Sequence, residues 1–171
     1  NPMFLAAQMG VFVLILIMLV VLMVLAVYDA RWGELPVVLL VLAVIFGMAV
    51  FVLKMCIVDL SDDGNLLDGL LSAGAGIVIL SGTCFVIYKA SKERLMGGGD
   101  WILALALALA LANWWLALWT IFLANLLGDI IALPGAIKTK NTKVHFGPFL
   151  VAAFVIVLVL GNCLPLLISN M

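Results

Sequence analysis

The chain has 171 residues, 68% of them hydrophobic and 10% charged, with a net charge of −1 and a mean hydropathy of +1.41. A soluble domain is about half apolar and about a quarter charged, so the excess apolar surface must face lipid and a water-soluble fold is excluded. Near-neutral charge and the lack of a basic patch interleaved with aromatics leave the lipid bilayer as the expected partner and exclude nucleic acid.

A transmembrane helix takes about 20 mostly apolar residues. By that ruler the first span runs from about Phe4 to Tyr28. It is too long for the apolar region of a signal peptide and has no small-residue cleavage site, so it is expected to be retained. A polar break from Asp29 to Pro36 follows. Pro36 suits the first turn of the second helix, where its missing N–H costs nothing. The second span runs to about Val58, and an acidic, turn-rich segment at 59–65 separates it from a third, Leu66 to Tyr88. Within the third, Ser72, Ala73, Gly74, Ala75 and Gly76 mark a face expected inside the bundle, because small residues let helices approach closely in lipid.

The segment Lys89 to Gly99 is polar and then glycine-rich. Trp101 to about Ala112 alternates Ala and Leu. It reads as a short fourth helix, because these are the best helix formers and a lone strand cannot satisfy its backbone in lipid. Asn113-Trp114-Trp115 fits an interfacial aromatic belt. A fifth span, about Trp115 to Leu133, is expected to stop at Pro134-Gly135. A basic loop, Lys138 to His145, precedes a last span from about Phe149 to Ile168. The expected fold is therefore all-α, a polytopic bundle of about six transmembrane helices in a single domain over residues 1–171.

Alternation places Arg31, Lys89, Lys92, Arg94, Lys138, Lys140 and Lys143 on one side and Lys54 near the other. The positive-inside rule makes the first side cytoplasmic, with both termini outside.

Two acids mark that face. Asp29 lies where the first span meets it, and Asp100 where the fourth span begins. Neighbouring carboxylates at the edge of a low-dielectric region cannot both ionise easily. One shared proton would let one act as base towards a water and the other as acid towards a carbonyl, with coupled titration. Asp100 heads a helix, whose dipole favours its ionised form, so Asp29 is the expected holder of the proton. Gly97-Gly98-Gly99 directly precede Asp100. Glycines allow positive φ and close backbone approach, which a site for an extended peptide needs. The blander reading makes both acids membrane-boundary residues, Asp29 pairing with Arg31 and Asp100 serving as a helix cap.

Other residues point less clearly to chemistry. Cys56, Cys84 and Cys163 are far apart in apolar surroundings and read as buried hydrophobes, without the spacing of a zinc or redox site. His145 has no Cys or His nearby and reads as a loop residue. Asp129 lies inside the fifth span, where acids are costly and often functional, but it is left outside the candidate pair. Glu34 and Glu93 read as solvated loop carboxylates.

Three short segments carry a family resemblance. Met96-Gly97-Gly98-Gly99-Asp100 resembles the GxGD motif of type IV prepilin peptidases, archaeal preflagellin peptidases and presenilin-like proteases. Tyr28-Asp29 followed by Leu35-Pro36 resembles the first prepilin-peptidase motif, and Phe146-Gly147-Pro148-Phe149 resembles the FGP element before that family's last helix. Order, face and intervening helices together make the chain similar to the compact type IV prepilin peptidases. It departs from their pattern at Ile102, where a Lys is common, and at Val37, where Asn or Asp often follows the Pro.

The resemblance implies an aspartyl endopeptidase of the cytoplasmic (inner) membrane. It would cleave the basic leader of a prepilin or pseudopilin just before its hydrophobic helix, at the cytoplasmic face. Asp29 and Asp100 would be catalytic, without metal or cofactor. Pro36, Gly97, Gly98, Gly99, Gly147 and Pro148 would bind substrate or shape the loops around it. The paired CxxC motifs of the methyltransferase region that many members carry are not in this sequence, so methylation is not expected of it. The rival from another class is a non-catalytic membrane protein: an assembly subunit, a small transporter or an inactive homologue. Separation of the two carboxylates discriminates, since only a distance of a few ångströms makes a working pair.

Overall fold

A computed structural model describes residues 2–60, 65–90, 97–138 and 146–168, with side chains over 3–59, 65–90, 97–131 and 146–161. These residues form six helices: α1 Pro2–Trp32, α2 Val37–Leu60, α3 Leu66–Ala90, α4 Asp100–Leu111, α5 Trp114–Lys138 and α6 Gly147–Ile168. Helices α1, α2, α3 and α5 are long and apolar enough to cross a membrane, whereas α4 is a shorter apolar helix. The chain is an all-α, multi-pass membrane protein. Its outward surface is itself apolar, with Met9, Phe12, Val20, Val38, Val78 and Ile130 among the exposed side chains.

The shortest helix lies at the centre. Nearly every residue of α4 is buried, including Leu103, Ala104, Leu107, Ala108 and Ala110. Alternation of Ala and Leu gives it no polar side, so all faces can be covered by neighbours. Its main partner is α2, with α3 and α6 completing the sleeve. Helices α2 and α4 run in the same direction and in register. Leu40 lies against Gly99, Gly47 against Ala106, and Lys54 against the last turn of α4. At Gly47 the approach is so close that a Cβ would sit 2.5 Å from the Ala106 carbonyl oxygen.

The end of α4 is finished from two sides. Ala112 adopts the left-handed conformation (φ 50°) and donates its N–H to the Ala108 carbonyl. The Lys54 ammonium donates to the carbonyl oxygens of Ala110 (2.7 Å) and Leu111 (3.1 Å). A cation at a helix C-terminus complements the macrodipole. Asn113 then starts α5, its Oδ1 accepting the Trp115 N–H at 2.9 Å. Trp114, Trp115, Trp119 and Phe122 form an edge-to-face series along that helix.

Helix α3 carries a π-turn at Val78–Gly82. Buried Ser81 within it donates to the Trp101 carbonyl at 3.1 Å, tying α3 to the first turn of α4. Of the small residues in α3, Ala73 and Gly76 face inward, and a Cβ on Gly76 would crowd the Asn113 carbonyl. Gly74 and Ala75 are exposed.

The six helices stand where the sequence puts them, but α4 is shorter than the full span expected of one of six transmembrane helices, and three ends differ. Helix α1 continues a turn past Tyr28, because Arg31 and Trp32 remain good helix residues and Gly33, at φ 67°, supplies the left-handed stop. Helix α5 runs through Pro134-Gly135 to Lys138; such residues are tolerated in membrane helices when neighbours re-satisfy the backbone. Gly147 and Pro148 form the first turn of α6 rather than a loop before it. Lys92, Glu93, Arg94, Lys140, Lys143 and His145 lie outside the described residues, as does the side chain of Cys163. Cys56 is exposed, contrary to the buried-hydrophobe expectation, while Cys84 is buried.

The α2–α4 contact makes a direct prediction. Gly47→Ala should lower the thermal midpoint of the detergent-solubilised protein, by overpacking that costs about 1–3 kcal/mol. Gly74→Ala, where a Cβ meets nothing within 4 Å, should leave the midpoint unchanged or slightly raised.

Candidate active site

Asp29 occupies the last turn of α1. Gly33 N–H closes that turn onto the Asp29 carbonyl at 2.9 Å, and the positive φ of Gly33 turns the chain towards α2. The short connection brings Leu35 and Pro36 across the end of α4. Pro36 precedes α2 and its carbonyl accepts the Leu40 N–H at 3.1 Å, as a helix-capping residue does.

Asp100 is the first residue of α4. Its backbone N–H donates to the Gly97 carbonyl at 3.2 Å, and its Oδ2 accepts the Gly97 N–H at 3.0 Å. The glycine run and the acid are thus one closed turn. Gly99 is the sterically constrained member, since a Cβ there would lie 2.8 Å from Leu35 Cδ1 and 3.2 Å from Leu40 Cδ1. A Cβ on Gly98 would make ordinary contact with the Tyr88 ring. Positive φ is not the reason for this run: Gly99 is right-handed (φ −79°), and Gly33 is the positive-φ glycine among the described residues.

The third segment closes the site. Phe146 is buried against Gly128 on α5, and its carbonyl accepts the Leu150 N–H, opening α6. In the first turn of a helix the N–H groups have no intrahelical acceptor. Pro148 has none to offer, and Gly147 donates its own to Asp29 Oδ2 at 3.1 Å. A Cβ on Gly147 would fall 2.6 Å from Asp29 Oδ2 and 3.4 Å from Asp100 Oδ1. Those two oxygens can be no farther apart than the two distances laid end to end, so the carboxylates converge on the side of Gly147 where a side chain would stand.

Both acids are withdrawn from the surface, Asp29 at 5% and Asp100 at 3% exposure. Each lies at a helix N-terminus, Asp29 at that of α6 and Asp100 at its own, where backbone N–H groups and the dipole favour negative charge. Asp100 Oδ1 is buried without a hydrogen-bond partner among the described residues. Arg31, the alternative partner for Asp29, is exposed, as is Glu34. Asp129 is on the exposed side of α5. Ile102 packs against the core, and Val37 is exposed. No group of three or more His, Cys, Asp or Glu side chains gathers to hold a metal among the described residues.

Two buried acids close together, each accepting a backbone N–H, can divide one proton between base and acid roles. The profile of the type IV leader peptidase family matches residues 16–133, well over half of the chain. This chain belongs to the type IV leader peptidase family. No curated protein and no solved structure matches it. The matched span of this leader peptidase relative contains Asp29, Pro36, Gly97, Gly98, Gly99 and Asp100, but stops before Gly147.

The sequence points to the acids, the glycine run and Gly147, but not to the contacts that Leu35, the Gly147 amide and Ser81 make. The packing partner of Gly99 is Leu35, and the conspicuous Leu-Pro pair was the available signal. The Gly147 amide reaches Asp29 across 118 positions of sequence, and no local pattern announces that bond. Ser81 had only the signal of a hydroxyl in an apolar run.

The Leu35–Gly99 contact is testable by a double-mutant cycle. Gly99→Ala should destabilise the protein, and adding Leu35→Ala should recover part of that loss, with a coupling of about 0.5–3 kcal/mol for residues in contact. Thermal unfolding of the four proteins measures it; strictly additive effects would contradict the contact.

Proposed function

We propose that this chain is an aspartyl endopeptidase that removes the basic leader of prepilin-like substrates at the cytoplasmic face of the inner membrane. The observation carrying this reading is the convergence of two buried carboxylates, Asp29 and Asp100, on the backbone of Gly147. Membership of a leader peptidase family gives the reaction class. The chemistry of the pair gives the rest: one carboxylate activates water, the other protonates the scissile carbonyl oxygen, and collapse of the tetrahedral intermediate expels the amine.

Several features support a substrate with a basic leader ahead of an apolar helix. The acids lie at one end of the bundle, close to the connection carrying exposed Glu34. An apolar segment would lie in lipid beside the protein while its polar leader reaches that end. The excess of Lys and Arg on the sequence segments at the same end supports a cytoplasmic orientation.

Co-expression with a prepilin-like substrate tests the reading. Asp29→Asn and Asp100→Asn should each reduce leader cleavage by about 100-fold or more, the scale of lost acid–base catalysis, at unchanged membrane levels. Wild-type cleavage should show a bell-shaped pH profile and survive metal chelation. Cleavage persisting in either variant would rule out the pair.

A further inference from the structure

The two acids are not held alike. Asp29 accepts a hydrogen bond from the head of another helix, the Gly147 N–H at 3.1 Å. Asp100 accepts within its own turn, from Gly97 to Oδ2 at 3.0 Å, and its Oδ1 faces the same spot as Asp29 Oδ2 without a partner among the described residues. A backbone N–H can satisfy a carboxylate oxygen but cannot accept a proton from it. An unpartnered buried oxygen is costly as an acceptor, and becomes a donor once protonated.

We propose that Gly147 is a positioning residue that divides the labour of the pair: its amide holds Asp29 as the carboxylate and leaves the shared proton on Asp100 Oδ1, aimed towards Asp29. This rests on the peptidase reading for its catalytic meaning, and it reverses the expectation that Asp29 carries the proton. That expectation assumed a helix dipole at Asp100 alone. Asp29 also lies at a helix N-terminus, and its helix, α6, is longer than α4.

Helix α3 contributes the buried thiol of Cys84, the connection before α2 contributes Leu35, and α2 contributes Leu40. Arg31 and Glu34 beside Asp29 are exposed and screened by solvent.

In the reaction, Asp29 takes a proton from water as the water oxygen bonds to the scissile carbonyl carbon. Asp100 gives its proton to the carbonyl oxygen, forming a gem-diol. The C–N bond then breaks, the nitrogen takes the proton held by Asp29, and one diol hydroxyl returns its proton to Asp100. The products are a carboxylic acid and an amine, and the pair ends as it began.

Infrared spectroscopy of the full chain in detergent near neutral pH reads the proton without any substrate. The protonated-carboxyl stretch should be present in wild type, absent in Asp100→Asn and retained in Asp29→Asn at mildly acidic pH, since loss of the opposing carboxylate eases ionisation of Asp100. The opposite pattern, or no such band in wild type, overturns the assignment. A second arm replaces the Gly147 amide by an ester, removing the N–H alone. The acidic limb of kcat/KM should then move up by about one pH unit, the scale of a lost hydrogen bond to a charged group. A fall in rate with the limb unmoved would make Gly147 merely structural and also overturn the proposal. Because the infrared arm needs no cleavage, a wild type inactive on every leader would sink the peptidase reading and leave the proton assignment standing.

Discussion

A helix of twelve residues spans about 18 Å at 1.5 Å per residue, against a hydrocarbon thickness of about 30 Å. Helix α4, with its 12 residues, therefore cannot cross the bilayer, and its unfinished ends fall inside the protein. Unsatisfied backbone groups there would cost several kcal/mol each. The rest of the fold follows from finishing those ends. At the far end, Lys54 reaches from α2 to the carbonyls of Ala110 and Leu111. At the near end, the Gly97 carbonyl accepts the Asp100 N–H, and Asp100 Oδ2 in turn accepts the Gly97 N–H. The acid at the head and the cation at the tail both suit the macrodipole. Placing the catalytic candidate and stabilising the central helix are thus one task.

Keeping that helix in place requires a partner at fixed register. Helix α2 provides it by contact at three levels, Leu40 with Gly99, Gly47 with Ala106, and Lys54 with the last turn. Two of these depend on the absence of a side chain. Gly47 lets two backbones meet, as small residues do in membrane helices where no hydrophobic force drives association. Gly99 admits Leu35, so the connection after α1 rests directly on the turn that holds Asp100. Movement of that connection would be felt by both acids, since it is anchored one turn from Asp29 by Gly33.

Much of this was readable beforehand. Six apolar runs, Pro36 at a helix start and a polar residue breaking the Ala/Leu run each have a local physical cause, and each stands in the structure. The errors share one source. Asp29, Pro134-Gly135 and Gly147-Pro148 look like loop in the sequence because polar, Pro and Gly residues punctuate most sequences, yet all lie in helical turns. Near a membrane boundary such residues serve helix ends as readily as loops. The glycine run was legible as a close approach but not as a contact with Leu35, because partners far apart in sequence leave no periodic trace. The π-turn at Val78–Gly82 also lacked a local signal; its bond from Ser81 to Trp101 shows what it does, and the sequence offered only an isolated hydroxyl.

The backbone donors at the two acids have their own consequence. A Lys or Arg at full charge beside each acid would draw both into the ionised form, and no acid would be left to protonate a carbonyl. A helix N-terminus offers only about half an elementary charge, enough to ease one buried anion but not to neutralise two that face each other. Helix α6 is therefore part of the site even though the family match ends before it. Its first free N–H lies on Asp29, and Gly147 leaves room at the point where the two carboxylates meet. Any larger residue there would fill the space between the acids. The Gly-Pro step is thus chemically apt: the glycine provides the donor and the gap, and the proline starts the helix without adding a second N–H to compete for the same oxygen.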